Sequence, residues 1–268
     1  MNKQLSASLV FALSLAVGCA PVGDAPDGLD SNAQEVVNGN VISDQTAAVY
    51  GLARVNWGTL LCSGVIYKNS WVLTASHCFN FTTPTSGVTV TVGGVTYASD
   101  RVRTVSTADL ALVHLTSPIP VNGSTTGYTV PFYQGTLPSL QGQGLYCFGY
   151  GTNSFAPTGG ALIDGRARWA YLTVSSFYVE GPFYSFAPNA SGQILGGGDS
   201  GGPCFAVQSG RMVLSGISRN AGRVCANLAP GQTCSDATAT SIDWSDQTYV
   251  PSFAATMNYL SGGVRTFP

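Results

Sequence analysis

Charged residues are scarce in this chain, and neither sign dominates. Asp, Glu, Lys and Arg make up only 9% of the 268 residues, and 11 Lys and Arg against 13 Asp and Glu leave a formal net charge of −2. So little positive charge builds no basic field that would attract a phosphate backbone. The sequence therefore argues against nucleic acid as a partner.

A long apolar run is lacking at the amino terminus, where residues 9–17 are too few to span a membrane as a helix. They follow the basic Lys3 and end at Gly18, the pattern of a secretory signal peptide over residues 1–18. The string AVGC ending at Cys19 is similar to a bacterial lipobox, whose cysteine is lipidated and tethers the protein to a membrane. In an ordinary signal peptide, Cys19 would be incidental. We expect a secreted or cell-envelope protein, with the Pro-, Gly- and Asp-rich residues 19–35 as a linker or pro-segment.

Histidine is rare, and no two cysteines have the C-x-x-C spacing. The two histidines are His77 and His114. Structural zinc sites use closely spaced Cys and His, so the pattern predicts no metal site, and no cofactor is implied. Cys19 aside, an even number of cysteines remains, which in an exported chain predicts three disulfides. Spacing alone leaves their pairing open.

Glycine, in contrast, is abundant, with 33 residues. Between residue 36 and about residue 250, short runs such as WVLTA, VTVTVGGVTYA and LALVHL alternate with clusters of Gly, Pro, Asn and Ser. This spacing predicts an all-β barrel or sandwich. Only residues 251–260 have helical spacing, with Phe253, Met257 and Leu260 on one face. We therefore expect one short C-terminal helix.

The most informative motif is the hexapeptide GDSGGP at residues 198–203. Its glycines allow a tight loop whose backbone N–H groups converge on one oxygen. The N–H groups of Gly198 and Ser200 would then stabilise the negative charge that develops in acyl transfer. Ser200 is the candidate nucleophile, although a Gly- and Ser-rich loop is by itself often only a loop.

A serine hydroxyl needs a positioned base to attack an amide, and imidazole titrates in the right range. His77 directly follows the apolar strand WVLTA and precedes Cys78, so a strand end could present it to a cleft. His114 lies inside the alternating strand LALVHL, where a packed or solvent-facing histidine is expected. His77 is therefore the candidate base.

The base needs a carboxylate that orients its ring and stabilises the imidazolium. Asp109 begins the apolar run of residues 110–113 and would be drawn toward the interior, where a buried acid needs a partner. Asp100 neighbours Arg101 and is more simply a solvated surface charge. Asp109 is the candidate, with helix capping or turn formation as its alternative role.

Together these pieces resemble the trypsin/chymotrypsin-like serine proteases, which have the same chain order of His, Asp and Ser. TASHC around His77 is similar to the family's TAAHC, DLALV from Asp109 to its DIALL, and CSGVI to its CGGSL strand. The resemblance implies two six-stranded antiparallel β-barrels, at residues 36–130 and 131–268, that form one peptidase domain with the active site between them. It also implies a C-terminal helix.

The resemblance further implies disulfide bonds. A Cys62–Cys78 bridge would steady the histidine loop. Cys204 stands two residues earlier than in the family, but period-two alternation keeps it on the same strand face, so a Cys147–Cys204 bridge remains expected. A Cys225–Cys234 bridge would then close a loop near the substrate pocket, although no family pattern specifies it.

The string VVNG from Val36 is similar to the IVGG that begins mature family members. The family's activation mechanism would pair the freed Val36 ammonium with Asp199, a buried ion pair whose loss would leave an unpaired charge. The bond to be cut follows Glu35, so the activating protease would not be trypsin-like. A zymogen is thus implied.

Specificity would differ from that of trypsin. Where trypsin-like members have an Asp at the base of the pocket, this chain has Ile194, followed by Leu195. Gly216 and Ser218 would form the pocket wall, with Arg219 beside them. We expect protein or peptide substrates with an apolar or small residue, rather than Arg or Lys, at the cleavage site. Arg219 could instead attract acidic residues.

Two other functions are compatible with parts of the pattern. A catalytically silent relative could keep the fold and act as a binding or adhesion module, although all three candidate catalytic residues are present. A lipase or esterase would want a G-x-S-x-G elbow between a strand and a helix, followed by a late histidine. Ser200 lies among β signals instead, and no histidine follows it.

Overall fold

The computed structural model describes residues 36–225, 233–235 and 238–262. The signal peptide, Cys19 and the bond after Glu35 lie outside the described residues. Most of the described chain is β-structure. The fifteen strands are β1 Asn40–Ile42, β2 Leu52–Trp57, β3 Leu60–Lys68, β4 Trp71–Thr74, β5 Val88–Val92, β6 Val95–Val105, β7 Leu110–Leu115, β8 Gly144–Gly149, β9 Ser154–Phe155, β10 Ala161–Leu162, β11 Ala167–Phe177, β12 Phe183–Phe186, β13 Pro203–Gln208, β14 Arg211–Val224 and β15 Ser241–Tyr249.

The helical segments are short. The α-helices are α1 Asp44–Val49 and α2 Ala254–Leu260, and the 3₁₀ segments are Ser76–Phe79, Leu137–Leu140 and Val250–Phe253. The sequence indicated helical spacing only at residues 251–260, and α1 corrects that expectation. The hydroxyl oxygen of Ser43 caps α1 by accepting the N–H of Thr46 at 3.1 Å. Because α1 has only six residues, it presents too few turns for an apolar period to be recognised.

The first barrel is closed by strands in the order β2-β3-β4-β7-β6-β5. Alternating side chains explain how such a sheet closes around a core. In β5, Val88, Val90 and Val92 are buried while the two threonines between them are less so. This period of two places one apolar face inside the barrel.

The second barrel contains β8, β11, β12, β15, β14 and β13, and the pairing of β8 with β11 closes it. β1 adds one strand outside this ring by pairing with β11. The expected architecture of two six-stranded antiparallel barrels followed by a short C-terminal helix is confirmed.

The two chain ends cross between the barrels. β1 belongs to the first half of the sequence but extends the sheet of the second barrel. In return, α2 approaches the first barrel, where Lys68 Nζ donates to Asn258 Oδ1 at 2.9 Å. A boundary near residue 130 separates the barrel strands, but each end of the described chain lies against the opposite half.

The helices of the described residues are too short to span a membrane.

Candidate active site

Neighbouring strands of the first barrel bring His77 and Asp109 together. β4 pairs with β7, with Thr74 opposite Ala111, so the segment after β4 meets the turn before β7. His77 lies on the 3₁₀ turn Ser76–Phe79, and its Nδ1 is 2.6 Å from Oδ2 of Asp109. This geometry fits an imidazole that donates its Nδ1 proton to a carboxylate.

Asp109 also accepts hydrogen bonds through its other oxygen. The hydroxyl of Ser76 and the backbone N–H of His77 both donate to Oδ1 at 2.9 Å. Burial by itself would raise the pKa of Asp109, but the hydrogen bonds from His77 and Ser76 outweigh it and hold that pKa below its ordinary value. The carboxylate is therefore ionised at neutral pH and can orient the ring.

Ser200 comes from the second barrel, in the loop between β12 and β13. Its carbonyl accepts the N–H of Ser63 at 2.8 Å, which ties the loop to the first barrel. The next residue, Gly201, has φ +84°, and a Cβ there would lie 2.0 Å from the Thr74 hydroxyl oxygen. Only glycine fits at this position, which explains one glycine of the GDSGGP motif.

The side chains of His77 and Asp109 and the residue Ser200 line one cavity of about 760 Å³. Within the described residues, no hydrogen bond joins the Ser200 hydroxyl to the His77 ring, nor do the backbone N–H groups of Gly198 and Ser200 have a partner. Catalytic hydrogen bonds in ligand-free enzymes are often long and shorten when substrate binds. Of these two residues, Ser200 lines the cavity and Gly198 does not.

A second histidine–aspartate pair lies elsewhere on the first barrel. His114 Nδ1 is 2.6 Å from Asp100 Oδ1, the same separation as in the first pair. Asp100 is exposed and also contacts Arg101, and the ring of His114 packs edge-on against Trp71. Neither His114 nor Asp100 lines the cavity that contains Ser200. The His114–Asp100 pair therefore has the same N–O distance as the His77–Asp109 pair, but it lies outside the cavity that Ser200 lines.

Disulfide bonds join the three cysteine pairs expected in the sequence analysis, Cys62–Cys78, Cys147–Cys204 and Cys225–Cys234. The first ties β3 to the turn that carries His77, and the second joins β8 to β13. Among the described residues, one cluster with metal-ligand types occurs, Cys62, His77 and Cys78. Both sulfurs are consumed in the disulfide, so they offer no thiolate to a metal.

Asp199 is fully buried next to the nucleophile. Its carboxylate accepts N–H groups from Gly151 and Gly196, both at 2.8 Å. Burial raises the pKa of Asp199 to about 7, and these two hydrogen bonds and the charge of Arg168 oppose that rise. Arg168 is paired across the sheet with Gly149, against whose α-carbon the Asp199 carboxylate packs. Arg168 also forms an ion pair with Asp164, in which Nη1 and Nη2 each donate to one carboxylate oxygen.

Val36 is buried in the hydrophobic cluster of the second barrel. No hydrogen bond or ion pair joins it to Asp199 within the described part of the chain. The Val36 nitrogen is still peptide-bonded to Glu35 and carries no ammonium charge, so the activation pair stays a prediction.

Four of the five expected pocket residues do not line the cavity that contains Ser200. Ile194 and Leu195 are buried in the hydrophobic cluster of the second barrel, and Ile194 bridges to Val37. Gly216 is covered by the ring of Tyr184, and Ser218 is buried. Apolar burial explains the first two, since their side chains are drawn into the core rather than the cleft. Arg219 does line the cavity.

Sequence reasoning missed two partners of Arg219. Its Nη1 is 2.9 Å from Oδ2 of Asp246, and its guanidinium carbon lies 4.4 Å from the centre of the Phe183 ring. Phe183 also lines the cavity, whereas Asp246 is buried. Both residues are distant in the chain, and neither belongs to a recognisable motif. The one signal in the sequence was the acidic Asp246 in the stretch before residue 250, because a carboxylate within a strand needs a partner if it is buried.

Comparisons with known proteins agree with the two-barrel fold. The family model of the trypsin-like peptidase domain matches residues 62–213, more than half of the chain. The fold is also similar to the crystal structure of the scabies mite inactivated protease paralogue S-D1, with a TM-score of 0.60 and 16% sequence identity. That match covers 84% of this chain and 97% of the mite protein. At this identity the mite structure supports the fold alone.

Proposed function

The chain belongs to the trypsin-like peptidase domain family, and from that premise we propose that it is a serine endopeptidase acting through an acyl-enzyme intermediate. The observation that carries the proposal is the 2.6 Å contact between His77 and Asp109 in the cavity that Ser200 also lines. Protein or peptide chains are its substrates.

Each residue has a defined step in the proposed reaction. The Ser200 hydroxyl oxygen attacks the scissile carbonyl carbon while His77 takes its proton through Nε2. The resulting oxyanion is stabilised by the N–H groups of Gly198 and Ser200. His77 then gives the proton to the leaving amine, and the acyl-enzyme remains.

Hydrolysis of the acyl-enzyme repeats the same proton transfers. His77 removes a proton from water, the hydroxide attacks the ester carbon, and Ser200 recovers its proton as the acid product leaves. Asp109 keeps the Nδ1 proton on the ring in both halves, because its low pKa makes it a permanent acceptor. Its charge also favours the imidazolium that forms in each transition state.

The cavity walls support a preference for apolar or small residues over Arg and Lys. Gly196, Gly197 and Ala221 leave room near Ser200, and Phe183 adds an apolar surface. The positive charge of Arg219 on the same wall would repel a basic side chain.

We further propose that cleavage after Glu35 activates the protein. The new Val36 ammonium would approach Asp199, whose carboxylate is costly to ionise in its buried site and would be stabilised by a nearby cation. Amino-terminal sequencing of the active form tests this. A sequence beginning VVNG is expected, and full activity with Val36 still joined to Glu35 would overturn the activation step.

A fluorophosphonate probe tests the enzyme assignment, because it reacts with an activated serine. The mature protein is expected to be labelled and to cleave a peptide library, and Ser200→Ala should lose both properties. Ser191→Ala is the matched control, because Ser191 is an exposed serine earlier in the loop between β12 and β13, and this variant should retain both properties.

A catalytically silent binding module is the second candidate. One observation favours it: no hydrogen bond joins the Ser200 hydroxyl to the His77 ring within the described chain. Correctly folded and processed protein that takes up no probe would establish this alternative and rule out the peptidase.

A further inference from the structure

Arg219 occupies an irregular position in strand β14. Ser218 lies opposite Gln247 of β15, and Asn220 lies opposite Asp246, so Arg219 is an extra residue between two consecutive pairs. Such a bulge turns the side chain out of the regular alternation and is common next to active sites. The Arg219 side chain lines the cavity that contains Ser200.

The bulge is also close to the nucleophile along the backbone. Gly201 donates its N–H to the carbonyl of Ser218 at 2.7 Å. Ser200 precedes the donor residue and Arg219 follows the acceptor residue, so each adjoins one end of this hydrogen bond. A peptide advances about 3.3 Å per residue when extended. A substrate group that meets Arg219 therefore belongs to a residue near the scissile bond.

The guanidinium of Arg219 is held on two sides. Asp246 binds Nη1 at 2.9 Å, and the Phe183 ring lies under the guanidinium carbon at 4.4 Å from its centre. A cation–π contact with an aromatic ring and an ion pair with a buried carboxylate restrict the rotamers of a long side chain. The group is therefore pre-organised, so less conformational entropy is lost when a ligand binds it.

The ion pair between Arg219 and Asp246 exposes its positive member to the cavity. The Arg219 side chain is 35% exposed, whereas the Asp246 side chain is only 4% exposed. Asp109, whose carboxylate does line the cavity, already accepts three hydrogen bonds from Ser76 and His77. Among the described residues that line the cavity, Arg219 is the only lysine or arginine.

On the basis of the proposed function, we propose that Arg219 binds a substrate carboxylate and directs cleavage to peptides that have an apolar or small residue at the cleavage site and Asp or Glu at a neighbouring position, within two residues of the scissile bond. A guanidinium has five N–H donors in a planar fork, and the contact with Asp246 engages Nη1. The remaining donors can form charge-assisted hydrogen bonds with a second carboxylate. Asp246 is then a positioning residue that holds the fork from beneath.

Paired peptides test the proposal by kinetics. Peptides that differ only in Glu against Gln, or Asp against Asn, have nearly the same volume and isolate the charge. We expect a kcat/KM about tenfold higher for the acidic member, the scale of a hydrogen bond to a charged group. Arg219→Gln should bring the ratio close to one, and Arg219→Lys should give an intermediate ratio. Arg101→Gln, an exposed arginine on β6, is the control and should keep the wild-type ratio.

A binding measurement separates this proposal from the enzyme assignment. Ser200→Ala protein is titrated with the same fluorescent peptides, and the acidic member should bind about tenfold more tightly, a difference that Arg219→Gln removes. Equal affinity and equal kcat/KM for acidic and amide peptides would overturn the role of Arg219, even if probe labelling shows an active Ser200. Preferential binding without any labelling would instead retain Arg219 as a recognition residue and reject the peptidase.

Discussion

At the scale of single residues, the described chain contains two histidine–aspartate pairs with the same 2.6 Å separation. They differ in what surrounds them. Asp109 is largely buried and accepts two further hydrogen bonds, whereas Asp100 is exposed beside Arg101. Distance alone therefore does not define a catalytic pair. The neighbouring Ser200 and the burial of the acid distinguish His77 from His114.

Replacing Asp109 by Asn should lower kcat by roughly 10⁴-fold, because an amide no longer selects the imidazole tautomer that can accept the serine proton. Initial-rate kinetics on a peptide substrate measure this. Asp100→Asn is the matched control, since it alters an equally short contact outside the cavity, and its kcat should stay within about twofold of wild type. The role of Asp109 would be refuted if both variants lost the same activity.

The candidate residues that the structure brings to one cavity are those with a local signature. His77, Asp109 and Ser200 each stand in a short string whose composition points to a strand end or a glycine turn. Arg219 was noticed, but its contact with Asp246 joins positions 27 residues apart and depends on a bulge. A bulge shifts register by one residue, which sequence alternation cannot locate. Ile194 lies in the hydrophobic cluster of the second barrel and not in the cavity, and the glycine-rich sequence around it does not indicate the direction of its side chain.

At the scale of elements, alternation predicted the barrel strands but not the shortest segments. The string VTVTV alternates cleanly, and the structure places its valines inside the first barrel. α1 has six residues and the 3₁₀ turn around His77 has four, and neither is long enough to produce a period. The turn that carries His77 is tied to β3 through Cys62–Cys78, a long-range contact that no local period indicates.

Removal of this disulfide should destabilise the protein and impair catalysis. The bond links residues 16 apart, and its loss in Cys62→Ala/Cys78→Ala should lower the free energy of unfolding by roughly 3 kcal/mol. Denaturant unfolding measures that change. We also expect kcat to fall at temperatures where the variant is fully folded, because the turn carrying His77 is no longer tied to β3.

Cys225→Ala/Cys234→Ala controls for a general effect of disulfide loss. It opens a bond that links residues 9 apart, so the loss of unfolding free energy should be of similar size, about 2–3 kcal/mol. Its kcat should be much less affected than that of the first variant. Equal loss of kcat in both would show that the Cys62–Cys78 bond has no special role in positioning His77.

At the scale of the whole molecule, the proposed catalytic residues are divided between two barrels, so the proposed reaction needs the barrels to keep a fixed relative position. His77 and Asp109 come from the first, and Ser200 from the second. The barrels share a hydrophobic cluster, in which the rings of Tyr50 and Phe148 stack at 4.9 Å. Apolar packing of this kind stabilises the association but is weakly directional. Directional contacts are needed to fix the relative position of the catalytic groups.

Ser63 of β3 provides such contacts at the point where the barrels meet. Its hydroxyl accepts the N–H of Tyr150 at 2.9 Å and donates to the carbonyl of Gly198 at 2.9 Å, and its own N–H donates to the carbonyl of Ser200 at 2.8 Å. The side chain is fully buried. One serine thus holds the loop that contains Gly198 and Ser200, called the oxyanion loop for its proposed role, against a strand of the first barrel.

Ser63→Ala should therefore affect stability and catalysis together. It leaves a buried N–H and a buried carbonyl without their partner, which costs about 1–3 kcal/mol of unfolding free energy. It also frees Gly198, whose N–H is proposed to stabilise the oxyanion, so kcat should fall by at least about tenfold with little change in KM.

The matched control is Ser215→Ala, because Ser215 is equally buried but bonds only within the second barrel, donating to the carbonyl of Cys204 at 2.9 Å. Denaturant unfolding should show a comparable loss of stability for the two variants, while steady-state kinetics should show a lower kcat for Ser63→Ala alone. If the two lose kcat equally, or neither does, then contacts across the barrels do not set the geometry of the oxyanion loop. A loss of kcat confined to Ser63→Ala would show that both barrels determine the geometry of this loop. Hydrogen bonds from β3 of the first barrel would then determine the efficiency of a nucleophile that belongs to the second barrel.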